Sequence, residues 1–569
     1  MISSNFCSVT SSSSLPQSFN SLQVLTARTK CSAAQRKSLD LQNKQLRRSA
    51  NYHPTVWDHQ LIASLSSPYT YERYNDYLLE VKQQVQRSFR SEKEHVRRLE
   101  MIDVIQRLGV GYHFEEEIKQ ALDDIYLSQN YDRGDVYIMG LRFRLLRQNL
   151  YRVHPEFVGG DERLMEHMKN DVKGLMSLYE ASYLAVNGED FLEESRKWIY
   201  NNLEPFQGDA TLLMQTPRHW RMQRLEARSF LYTYGKDSER NSVLLQLAKL
   251  DFNLVQSIHQ RDLIQLSRWW NDLGFKENLS FTRDRLVENF IWSVGITYEP
   301  QFSKCRIGLT KFICILTAID DIYDVYGSLD ELELFTDAVR RWDSTAAENL
   351  PEYMKTCYLA MFNFGNSISI EIQRDEGINA LPYIVKEWER LCQSYLLEAR
   401  WFNKQYTPKL DEYLETAWIS VGGPSAMVHS YILCGETIST ETLHSLQNRP
   451  EIVYWASLIT RLNDDLGTYE AEMERGDVSK SVQCYMNEKS VSEEEAKEHV
   501  TCLLHRYWRE LNEACVTTSL PKSVTNMALN MARASHSIFE YGDGIGTSDG
   551  VTKDRAIALF VNPFEIEAT

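Results

Sequence analysis

The sequence predicts an all-α fold, and three observations carry that expectation. Glycine (25) and proline (14) are scarce in 569 residues, which favours long helices with few interruptions. No segment shows strand-type alternation or the strand–helix rhythm of a parallel sheet. Apolar residues instead return every three or four positions: Leu244, Leu247, Leu250, Leu254 and Ile258 form one core face. The length leaves room for ample core in each of several domains, and the pattern gives two helical ones.

Taken in order, the first 46 residues differ in kind. Ser11 to Ser14 form a serine run, Arg28, Lys30, Arg36, Lys37 and Lys44 are basic, and Asp40 is the first acid. A serine-rich, basic, acid-poor start without a long apolar core reads as an organelle transit peptide. Residues 58–265 hold amphipathic stretches such as Leu99 to Leu108 but no matched pair of metal-ligand motifs. Arg268-Trp269-Trp270-Asn271-Asp272-Leu273-Gly274 reads as a helix end with a glycine stop, which places a boundary near 265 and a second domain over 266–569.

The formal net charge of -17 argues against nucleic acid and anionic membrane as partners. No segment approaches the about 20 apolar residues of a membrane span. The 10 cysteines include no CxxC pair, so neither zinc nor a disulfide framework is suggested. They suit core positions and thiols in a reducing compartment.

Chemistry concentrates in the second domain. Asp320-Asp321-Ile322-Tyr323-Asp324 interrupts a run, Phe312 to Gly327, that otherwise reads as a buried helix. At about 100° per residue, Asp320 and Asp324 share a face with Asp321 beside them. Carboxylates there suit a hard cation, and Mg²⁺ binds through one or two carboxylates plus substrate phosphates. A solvated acidic helix face would read the same way. Asp464, Thr468 and Glu472, at i, i+4 and i+8, tip the balance: they line three oxygen ligands along one helical face, one turn after Arg461. Two such helices facing across a cavity could hold a diphosphate through a cluster of Mg²⁺ ions and stabilise it as a leaving group. Asp123-Asp124-Ile125-Tyr126-Leu127 nearly copies the first motif but lacks the third carboxylate, and reads as surface acids.

These motifs resemble those of plant class I terpene synthases. Arg283-Asp284-Arg285 matches the RxR element, Arg47-Arg48 with eight residues between it and Trp57 matches the RRx8W element of angiosperm monoterpene synthases, and Arg475 to Lys480 matches the segment after the second metal motif. The resemblance spans roughly residues 47 to 569. It implies a helical-barrel scaffold over 58–265, a metal-binding catalytic barrel over 266–569, and a tandem-arginine strand or cap over 47–57. It further implies a monomeric, plastid-stromal enzyme in which Asp320, Asp324, Asp464, Thr468 and Glu472 hold three Mg²⁺ or Mn²⁺ ions, with Asp321 in the outer shell. Arg283, Arg285, Arg461 and Lys480 are candidates to grip the diphosphate of a prenyl substrate, geranyl diphosphate above others, because arginine stays charged and offers a planar fork of donors. Trp292 is the candidate ring facing a carbocation, an effect worth up to about 2 kcal/mol when desolvated.

No DxDD element is present, so the first domain reads as scaffold rather than as a second, protonating active site. A single DDxxD with an asymmetric partner favours ionisation over chain elongation. Gly542-Asp543-Gly544-Ile545-Gly546 follows an apparent helix rather than a strand, which removes the dinucleotide reading; the resemblance implies a closing loop near the cavity mouth there, with Asp543 a candidate for the closed site. Phe539 stands where many relatives carry tyrosine, so no proton-handling role is assigned to it. A sesquiterpene synthase, a prenyltransferase, an alcohol-forming synthase and a silent helical scaffold remain as alternatives. On the Asp320 helix, Ile313, Leu316 and Thr317 are expected to face the cavity, with one hydroxyl among them, which favours an olefin product.

Overall fold

The computed structural model describes residues 47–128, 135–155, 171–202, 216–435 and 437–566. Among the described residues every regular element is a helix, as expected. The chain divides into residues 1–49 and 50–569. Of the first unit only Arg47, Arg48 and Ser49 are described, as irregular chain rather than strand; the serine-rich segment lies outside the described residues.

Helix Ser242–Asp272 is the spine of the second unit. Leu244, Leu247, Leu250 and Leu254 are buried as their spacing requires, but so are Phe252, Asn253, Val255 and Gln256 on other faces. The helix is enclosed because Tyr71–Ser91 packs on it from the first half and Leu286–Ile296 and Ser303–Asp321 from the second. Polar side chains on an enclosed helix need partners, and each half supplies some. His113 Nε2 lies 2.8 Å from Asp251 Oδ1, and Arg306 Nε donates to Asp262 at 2.9 Å. His259 Nε2 donates to the Tyr298 carbonyl at 2.8 Å, while Gln256 and Gln260 donate to the carbonyls of Leu559 and Phe560. Gly274 then takes φ +66°, the left-handed stop read from the sequence. The boundary expected near 265 therefore falls inside one continuous helix, and a single buried cluster runs through both halves.

Asp123 and Asp124 sit on helix Glu115–Leu127, about half exposed; Asp123 accepts from Tyr151 at 2.7 Å and Asp124 pairs with Arg98 at 3.2 Å. They are surface acids. In the second half, helices Leu286–Ile296, Ser303–Asp321, Leu381–Asn403, Leu410–Ser420, Gly423–Leu433, Glu451–Arg475 and Lys522–Phe539 surround a cavity. Between two of them the chain breaks at Gly422, with φ +81°, where an added Cβ would clash with Leu316 Cδ1. That break places Val421 and Gly422 on the cavity wall.

Candidate active site

The α-helix carrying the first acidic motif ends at Asp321. The chain continues as one π turn, Ile322–Tyr326, closed by the Gly327 amide donating to the Ile322 carbonyl at 2.8 Å. This corrects the reading of one regular helix through Gly327. An i→i+5 turn widens the spiral and changes the direction in which Asp324 leaves it. Asp320 lines the cavity and accepts from Arg283 Nη2 at 2.5 Å, whereas Asp324 lies 3.6 Å from Lys480 Nζ. Asp321 is buried and takes Arg283 Nε at 2.9 Å and the Arg283 backbone amide at 2.8 Å. Burial pushes its carboxyl up to about 6 against the opposing pull of Arg283.

The second motif repeats this plan on a regular helix. Arg461 pairs with Asp464 through Nη2 and with buried Asp465 through Nε at 2.7 Å. Asp465 also accepts from Tyr413 at 3.0 Å and from the Ser481 amide at 3.1 Å, which fixes the start of helix Ser481–Lys489. Thr468 is buried, its hydroxyl donating to the Asp464 carbonyl at 2.8 Å. Gly476, at φ +66°, ends helix Glu451–Arg475 and turns the chain so that Lys480 comes back between Asp324 and Glu398.

The donor set is short of positive charge. Burial, with repulsion from Asp465 and Asp543, holds Asp464 at about 6 despite Arg461; burial, with repulsion from Asp464 and Asp465, holds Glu472 at about 8 despite Lys480. Burial likewise raises Asp324 against Lys480, with Asp320 and Glu398 adding to it. Glu472 Oε2 is buried with no hydrogen-bond partner. Carboxylates crowded and desolvated in this way fit hard divalent cations. Among the described residues no group of three or more His, Cys, Asp or Glu side chains is placed to hold a metal ion by itself.

Below the carboxylates the cavity is apolar and aromatic. Trp292, Phe312, Tyr395 and Phe539 line it, together with Ile313, Leu316 and Thr317 as read from the sequence. Arg283, Arg461 and Asp543 stand on the same wall surface. Arg285 does not. Its guanidinium is buried outside the lining and bonded to backbone carbonyls, which corrects its assignment to the substrate. Trp57 packs on the cluster around Leu263, Leu286 and Phe290. Arg47 and Arg48 belong to the 1–49 unit.

Sequence reasoning missed Asp465, Glu398 and Tyr52. The paired aspartates could have revealed Asp465 by analogy with Asp321. Glu398, buried and accepting from Ser420 at 2.5 Å, gave no signal within its own helix. Tyr52 faces Arg283 and Arg475, its ring centroid 5.1 and 5.7 Å from their guanidinium carbons.

Two carboxylate sets, each with an arginine tied to a buried aspartate, facing an apolar aromatic cavity in a helical barrel, define an enzyme that ionises an organic diphosphate. Residues 271–510 match the metal binding domain of the terpene synthase family, and residues 56–222 match the terpene synthase N-terminal domain. The chain is 51% identical over 529 residues to the chloroplastic trans-ocimene synthase of Litsea cubeba, with 91% of each chain covered. It is 44% identical to the (-)-alpha-terpineol synthase of Vitis vinifera, again with 91% of each covered. Among solved structures, limonene synthase with 2-fluorolinalyl diphosphate superimposes with a TM-score of 0.88 at 37% identity, covering 91% of this chain and 100% of that one. Isoprene synthase from grey poplar (Populus x canescens), in complex with three Mg²⁺ ions and dimethylallyl-S-thiolodiphosphate, gives a TM-score of 0.82 at 39% identity, covering 90% and 99%. The chain belongs to the terpene synthase family.

Proposed function

We propose that the protein is a plastid monoterpene synthase, acting as a monomer in the stroma, that ionises geranyl diphosphate and releases diphosphate with a monoterpene olefin. The observation that carries this reading is the placement of Asp320 with Arg283, and of Asp464 with Arg461, on the wall of one apolar cavity. Asp320, Asp324, Asp464, Thr468 and Glu472 would hold the metal. Mg²⁺ or Mn²⁺, three ions as in the isoprene synthase complex, would neutralise the diphosphate and make it a better leaving group. Arg283 and Arg461 orient the diphosphate from the rim, each kept in place by its buried aspartate. The aromatic and aliphatic lining folds the hydrocarbon and keeps water from the cation until a proton leaves. The RRx8W match and the transit-type N-terminus favour geranyl over farnesyl diphosphate, and the chloroplastic trans-ocimene synthase relative points the same way.

A second reading, an alcohol product, draws on the terpineol synthase relative and on Asn289, Ser420 and Thr460, which add polar atoms to the lining. Gas chromatography of volatiles from geranyl and farnesyl diphosphates, with Mg²⁺ and with a chelator, tests the proposal. A monoterpene formed only with metal is expected; preferred use of farnesyl diphosphate, or no metal-dependent diphosphate release, overturns it.

A further inference from the structure

We propose that Arg285 is a positioning residue that ties the N-terminal segment to the loop after helix Lys522–Phe539, so that the two close over the cavity as one lid. The side chain is 0% exposed, yet its bonded partners are carbonyl oxygens. Nε donates to Ile545 at 2.8 Å, Nη2 donates to Gly546 and to His53, both at 2.7 Å, and Nη1 donates to Asp284 at 2.8 Å. One planar fork thus joins two segments nearly 500 residues apart in sequence, a geometry that a lysine ammonium cannot reproduce.

The loop is built to present those carbonyls. Gly542 adopts φ +109°, and Asp543 Oδ1 accepts from the amides of Ile545 at 3.1 Å and Gly546 at 2.5 Å. A second tie runs parallel to the first: Ser548 donates to buried Glu288 at 2.5 Å and accepts from the Val56 amide at 3.2 Å. Asp543 and Ile545 line the cavity while Arg285 does not. The arginine therefore acts on the cavity through the loop it holds.

Coupling follows from the burial of the charge. Lifting either segment alone would strip carbonyls from a guanidinium still held by the other segment, and an incompletely satisfied buried charge is costly. Both segments leave together or neither does. The inference rests on the proposed function only for its catalytic consequence, the exclusion of water from the cation; the coupling itself is a property of the substrate-free chain.

Hydrogen exchange read by mass spectrometry on the full chain tests it, with wild type, Arg285→Lys and Ser548→Ala compared without substrate. In Arg285→Lys, exchange should accelerate by about tenfold in residues 50–57 and 543–549 together. Inorganic diphosphate with Mg²⁺, titrated calorimetrically, should bind that variant within about threefold of wild type, since no direct ligand has been lost. Acceleration in one segment alone, unchanged exchange in both, or a diphosphate Kd weakened about tenfold or more would overturn the proposal. Should Arg285→Lys fail to fold, Ser548→Ala decides: faster exchange in both segments supports the coupling, and exchange unchanged in either refutes it.

Discussion

Arg283 is fastened to Asp321 twice, by its backbone amide to Oδ2 at 2.8 Å and by Nε to Oδ1 at 2.9 Å. Arg461 and Asp465 repeat the side-chain half of this arrangement, Nε to Oδ1 at 2.7 Å. In both pairs the buried second aspartate holds the inner nitrogen, and the first, Asp320 or Asp464, meets the outer one at the cavity. The DD pair thus divides labour between anchoring an arginine and facing the substrate. Asp321→Asn and Asp465→Asn should lower both turnover and stability, the latter by about 3 kcal/mol, because each leaves a buried arginine without its anchor. Asp320→Asn and Asp464→Asn should lower turnover with stability changed by less than about 1 kcal/mol. Urea melts alongside product assays check the division; equal melts for all four variants would remove it.

Removing a candidate metal ligand outright should be more severe. Asp320→Ala or Asp324→Ala is expected to reduce turnover by about 100-fold or more, while Asp123→Ala stays near wild type because its half-exposed carboxylate pairs at the surface with Tyr151 and Lys119. Comparable losses in all three would refute the assignment of the first motif.

On the proposal that the segment serves plastid targeting, truncation through Gln45 should leave activity unchanged. Removing Arg47 and Arg48 as well should selectively reduce cyclic products from geranyl diphosphate, and linalyl diphosphate should bypass much of the defect. An unchanged product profile after the longer truncation would deny these arginines a role in isomerisation.

The Ile313 side of the cavity offers a captured water little to hold it. The Thr317 hydroxyl already donates to the Ile313 carbonyl at 2.8 Å, while a retained water needs roughly two to four polar partners. Incubation in oxygen-18 water should give mainly unlabelled olefin, and Ile313→Asn should raise the oxygenated fraction. A dominant labelled alcohol from the wild type would show that Asn289, Ser420 or Thr460 supplies what this side lacks.

His429 gives a pH-dependent prediction. Its ring lies among Phe312, Phe364 and Trp388, and Nδ1 donates to the Ser425 carbonyl at 2.7 Å. Burial lowers it from the ordinary 6.5 to about 4. The folded-state value is depressed, so the associated stability is present above pH 6.5 and is lost as pH falls toward 4, where the unfolded chain gains a proton that the folded chain refuses. His429→Phe removes this term while keeping an aromatic ring. Relative to wild type, the variant should gain about 1 kcal/mol between pH 7.5 and 5.5, read as the difference between paired denaturation curves. A difference that stays constant with pH would rule the mechanism out.

The helical class, the cavity-facing positions Ile313, Leu316 and Thr317, and the Arg461–Asp464 pair were legible because each depends on spacing along one helix. Arg285 was not. Two arginines two residues apart look alike in sequence, yet one begins at the cavity rim and the other turns toward His53 and Gly546, a difference set by segments at opposite ends of the chain. The π turn after Asp321 was hidden for a related reason, since one extra residue in a turn leaves no mark on composition. Glu398 and Lys480 meet only through tertiary folding.

Helix Ser242–Asp272 also sets a rule for recombination between related enzymes. A chimera spliced near residue 265 would break a helix whose buried side chains answer to both parents: His113 and Tyr112 reach Asp251 from one, Arg306 reaches Asp262 from the other. A junction at the left-handed Gly274 keeps the helix whole and lets its partners be inherited as sets, with Arg306, Tyr298 and the carbonyls of Leu559 and Phe560 as the contacts that an incoming catalytic half must reproduce.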